Sequence, residues 1–116
     1  MAKALTINYG GKKYIAEFDR ASAKAYAMSG NKISDVWENP LVAVIPFVHC
    51  AFKKHQPTIS VKKAEEVYDA LSMRVRPSFL QALVAGYIET IQGLVGDEEA
   101  ADGDEGNAVW ENEDED

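Results

Sequence analysis

One cysteine, two histidines and four prolines are all that 116 residues contain of those types, and no lysine or arginine follows Gly96. A single thiol, Cys50, excludes an intrachain disulfide and fits a reducing compartment, so a cytoplasmic location is expected. The soft metal ligands are only His49, Cys50 and His55. On a helix the first two point about 100° apart and the third lies nearly two turns on, so they do not converge. With no CxxC pair or HExxH pattern, His49 and Cys50 are assigned to packing and His55 to a solvated helix end. Cys50 lies in an apolar run without a helix start or cations to lower its pKa, so no nucleophile is expected. The Gly10-Gly11-Lys12-Lys13 run lacks the spacing of a phosphate loop, and the acidic C-terminal run lacks the spacing and glycine of a calcium loop. The longest apolar run, Leu41 to Phe52, is broken by Pro46 and His49 and is too short to span a bilayer. The opening MAKALTINYGG has no uninterrupted apolar stretch of the signal-peptide kind. Catalytic, cofactor and metal sites, secretion and membrane insertion are therefore not expected.

What is present is divided by charge. Residues 1–96 hold all twelve basic residues and eight acidic ones, a net of +4, whereas residues 97–116 hold eleven acidic residues, a net of −11. Self-repulsion and scarce apolar groups leave the second segment unable to recover its ordering entropy. The expected organisation is a body over residues 1–96 and a disordered acidic tail over 97–116. A modest body charge beside a tail that repels phosphate argues against nucleic-acid binding.

Within the body, two alternating runs meet at Gly10-Gly11, which predicts a hairpin with a type I′ turn over Ala4 to Phe18. If Tyr9 faces Lys12, then Ile7 faces Tyr14 and Leu5 faces Ala16, which puts Leu5, Ile7, Tyr9, Tyr14, Ala16 and Phe18 on one face. Asp19 is a cap for a helix ending near Ser29 and Gly30, with Ala21, Ala25 and Met28 as its apolar stripe. A short segment with Ile33, Val36 and Trp37 leads to Asn39-Pro40, a cap and first-turn proline that start a second helix through Gln56. That helix is apolar nearly all round and should kink at Pro46. Ser60 caps a third helix with Val61, Ala64, Tyr68 and Leu71 on one face and a Lys62–Glu66 pair on the other. Arg76-Pro77-Ser78 opens a fourth helix, with Leu80, Val84, Tyr87, Ile91 and Leu94 on a stripe widened by Leu83, Ile88 and Val95, and Gly96 stops it. The fold class is α+β, a hairpin followed by about four helices in a small bundle. Two of the helices have apolar faces wider than one small core needs, which implies a protein partner or a second copy.

The order of three stretches resembles the tail assembly chaperones of long-tailed (siphovirus-type) bacteriophages, in the small form found in phages of Gram-positive bacteria. They are YGGKKYIAEFDRASAKAYAMSG, PLVAVIPFVHCAFKKH and GDEGNAVWENEDED, which with their spacing cover most of the chain. The resemblance implies a non-enzymatic protein of the host cytoplasm, absent from the mature virion, which binds the tape measure protein and keeps it soluble during tail morphogenesis. It also implies a longer form, made by ribosomal frameshifting, that recruits the major tail tube protein. The first helix, ASAKAYAMSG, departs from the bulkier apolar residues of relatives, and no site is transferred to it.

Residue chemistry and resemblance together select Trp37, Phe47, Phe52, Tyr87 and Ile91 as the protein-binding surface. Trp110 joins them as an apolar island with Ala108 and Val109 inside the acid, able to dock on a partner or fold back on Lys53, Lys54, Lys62 and Lys63. Two other classes fit the same composition: a structural tail or connector subunit, and an acidic DNA mimic that inhibits a host enzyme.

Overall fold

The structure, a computed structural model, describes residues 4–96. The segment 97–116, with Trp110, lies outside the described residues. Gly10 and Gly11 take φ values of 59° and 78°, the positive pair that a type I′ turn requires. They join strand β1 (Leu5–Tyr9) to β2 (Lys12–Ala16) in an antiparallel hairpin that pairs Leu5 with Ala16, Ile7 with Tyr14 and Tyr9 with Lys12. The register is the one the alternation predicts, and Ile7, Ala16 and Phe18 are buried on its inner face.

Five helices follow: α1 (Arg20–Met28), α2 (Asp35–Glu38), α3 (Pro40–Lys53), α4 (Val61–Asp69) and α5 (Arg76–Val95). Asp19 and Ser22 form a reciprocal capping box at the start of α1: the carboxylate accepts from the Ser22 N–H at 2.9 Å and the Ser22 hydroxyl accepts from the Asp19 N–H at 2.8 Å. The buried face of α1 is Ser22, Ala23 and Tyr26, while Ala21, Ala25 and Met28 are exposed, the reverse of the predicted stripe. Tyr26 decides this orientation. It is fully buried and its hydroxyl donates to the Lys32 carbonyl at 2.9 Å, and burial pushes its pKa up to about 12.

The Ile33–Trp37 segment contains a one-turn helix, α2, with Val36 in the core; the Asp35 carboxylate accepts from the Lys32 N–H at 2.7 Å just before it. Asn39 occupies the cap position of α3, although its side chain makes no capping hydrogen bond. The kink that Pro46 predicts does not end α3, which runs on to Lys53 as the central helix, burying Ala43, Val44, Phe47, Val48, Cys50, Ala51 and Phe52. It stops short of Gln56, whose side chain turns to β2 instead. There its amide accepts from the Ile15 N–H at 2.7 Å and donates to the Ile15 carbonyl at 2.9 Å, so a side chain replaces a third strand along that edge. A two-stranded hairpin alone is marginal in water. This clamp, with the Glu17 N–H donating to the Ala51 carbonyl at 2.9 Å, fastens it to α3.

Ser60 accepts from the Lys63 N–H at 3.0 Å and caps α4, whose buried face is Ala64, Val67 and Tyr68; Val61 is exposed. The ion pair on α4 is Lys63–Glu66 at 2.9 Å rather than Lys62–Glu66, and Tyr9 donates to the same carboxylate at 2.8 Å. That phenol draws Glu66 toward the hairpin, the side on which Lys63 lies. The Arg76 guanidinium spans the turn before α5, donating to the Leu71 and Asp69 carbonyls at 3.0 and 2.9 Å and lying over the Tyr68 ring. At the centre Phe18, Tyr26, Phe47 and Tyr87 pack ring to ring, with centroids 4.7 to 5.8 Å apart. One aromatic from each of four chain segments thus meets in a single cluster.

Candidate functional site

Helix α5 is the longest element, and its twenty residues extend about 30 Å at 1.5 Å per residue. The nine residues of α1 cover less than half of that length. Along its core-facing side α5 buries Phe79, Leu80, Leu83, Gly86 and Tyr87. Beyond Tyr87 it is more open even though α1 lies beside this part: Ile88 and Ile91 are 41% and 42% exposed, and Leu94 and Val95 are 64% and 78% exposed. This places four large, exposed apolar side chains on its C-terminal segment.

Beside that segment lies a groove of about 410 Å³ between α1 and α5. Ile91 and Leu94 form one wall, Ala23 and Ala27 the other, and Tyr87 and Thr90 lie along the α5 side below them. The alanines leave the space: the small residues of α1, which seemed to remove that helix from any binding role, are what opens the groove. Arg20 and Lys24 line its rim. The Arg20 guanidinium donates to the Gly93 carbonyl at 3.5 Å.

The residues selected from sequence divide between two environments. Phe47 and Phe52 are fully buried and Tyr87 nearly so, so these three belong to the core and not to an accessible surface; only Tyr87 also reaches the groove. Ile91 is an exposed wall of the groove. Trp37 is 49% exposed in α2, four positions before the exposed Leu41 at the start of α3, and forms no part of the α1–α5 groove. Trp110 lies outside the described residues. The groove residues missed from sequence are Arg20, Ala23, Lys24, Ala27, Thr90 and Leu94, the last of which belongs to the predicted packed stripe.

The polar groups are deployed structurally. Glu17 receives Lys54 at 3.0 Å and His55 at 2.8 Å, and hydrogen bonding by His55, then by Lys54, holds its carboxyl below the ordinary glutamate range. The His49 ring contacts the Ile59 carbonyl at 2.9 Å and steadies the α3–α4 connection. Cys50 is buried, and burial raises its thiol pKa, which keeps it protonated and unreactive. Among the described residues no helix is long and apolar enough to cross a membrane. The site is thus an apolar groove with a cationic rim on a hairpin-and-helix body.

A fold and site of this kind define a small hairpin-plus-helices protein with an exposed apolar groove. The pattern of one family, described as Domain of unknown function (DUF5055), matches residues 1–113, and the chain belongs to that family. No curated protein and no solved structure matches it.

Proposed function

We propose that this protein is a phage tail assembly chaperone, a non-enzymatic binder that holds apolar helical segments of the tape measure protein in its α1–α5 groove while the tail is built. The observation that supports the reading best is the C-terminal part of α5, which exposes Ile88, Ile91, Leu94 and Val95 at or beside the groove. An amphipathic helix laid in such a groove would bury its apolar face against these side chains. The sequence resemblance supplies the client, and the net charge of −7 supports solubility of the complex. On this reading the protein acts in the host cytoplasm, is absent from the mature virion, and meets the major tail tube protein through a longer form.

Co-expression with the large helix-rich tape measure protein of the same phage tests this. The client becomes soluble and co-purifies with the wild-type chain, and Ile91→Asp with Leu94→Asp abolishes the effect while the body stays folded. A client equally insoluble with and without the wild-type chain overturns the reading.

A further inference from the structure

The groove and the acidic segment carry complementary chemistry within one chain. The groove is apolar with the cations Arg20 and Lys24 on its rim. Of the lysines that sequence alone offers as counter-charges, Lys54 is already paired with Glu17 and Lys63 with Glu66. The sequence beyond Gly96 contains one apolar island, Ala108-Val109-Trp110, with Asp104 and Glu105 before it and Glu111 and Glu113 after it. We propose that this island occupies the α1–α5 groove of its own chain, with the Trp110 indole between Ile91 and Ala27 and the flanking carboxylates against Arg20 and Lys24.

Reach permits it. Thirteen residues separate Gly96 from Trp110. A flexible linker of that length has a root-mean-square span of about 20 Å. Tyr87, the groove residue on α5 farthest from Gly96, lies nine positions back, about 13 Å along the helix axis. Apolar ligand sites run from about 300 to 1,000 Å³, so the groove has room for an indole. Tethering places the island at millimolar effective concentration, so even weak docking fills the site. A client for the same groove must displace the island, which makes the tail an intramolecular competitor. The docking itself does not depend on which client the groove serves.

The test uses the full chain with Trp37→Phe, which leaves Trp110 as the single tryptophan. Docking gives blue-shifted Trp110 emission with reduced acrylamide quenching, unchanged on dilution. Leu94→Asp or the pair Arg20→Glu and Lys24→Glu returns the emission to that of a solvated indole. In the otherwise wild-type chain, Trp110→Ala shifts the amide resonances of Ala23, Ala27, Thr90, Ile91 and Leu94 and leaves those of the hairpin in place. Because these groove-wall and rim positions are mostly exposed, far-ultraviolet circular dichroism reads the same for all variants. Fully solvated Trp110 emission in the Trp37→Phe chain overturns the proposal. So does a blue shift that disappears on dilution, which assigns the groove to the tail of a second copy, or one that survives both sets of groove substitutions.

Discussion

Asp19 and Glu17 lie two residues apart where the hairpin becomes α1, and each carboxylate works through local geometry. The Ser22 N–H bond to Asp19 lowers its pKa and satisfies an otherwise orphan helix donor. Asp19→Ala should destabilise the body by about 1 kcal/mol in urea denaturation, with an unchanged m value. Glu17 has a depressed pKa in the folded body, so it binds its proton less tightly there than in the unfolded chain. Its contribution is therefore complete above the ordinary glutamate pKa and fades as pH falls through the lower folded value. Glu17→Gln should cost less than about 1 kcal/mol near neutral pH, since the pair is partly solvated. The same variant should show a smaller stability loss than wild type between pH 5 and pH 3, an interval of about two units that brackets the ordinary carboxylate range. An equal loss in both proteins would remove Glu17 from the acid response.

At the scale of elements, burial and exposure separate structure from function. Phe47→Ala removes the ring that contacts Phe18, Tyr26 and Tyr87, and should cost about 3–5 kcal/mol in denaturant titration. Ile91→Asp changes an exposed position and should alter stability by no more than about 0.5 kcal/mol. The hairpin was fully legible in the sequence because its two-residue side-chain period and its glycine turn are local properties. The capping residues Asp19 and Ser60 were legible for the same reason. The face of α1 was not: in an alanine-rich helix both faces look apolar, and the burial of Tyr26 settles the choice through tertiary contacts. Nor could the stripe on α5 show where packing ends, because that depends on which side chains the fold brings against it, and the alanines of α1 beside Ile91 and Leu94 are too small to cover them. Phe47, Phe52 and Ile91 are all large, apolar and helical, yet neighbours from β2, α1 and α5 enclose the two phenylalanines and leave the isoleucine open. The Lys62–Glu66 expectation failed for a similar reason, since Tyr9 from the hairpin reorients the carboxylate.

For the whole molecule, the charge division and the groove stand together: an apolar groove lies on a chain whose net charge of −7 opposes self-association. The hairpin, α1, α3, α4 and α5 all contribute to the aromatic and aliphatic core, and the proposed function assigns the interaction to the exposed side of α1 and α5. Hydrogen exchange of the full chain with and without the tape measure protein tests that division most directly. Slowed exchange confined to residues 20–27 and 87–95, with the hairpin and α4 unchanged, is the predicted result. Client-induced protection centred on the hairpin or α4, or no protection anywhere, would contradict the assignment of the groove as the binding surface.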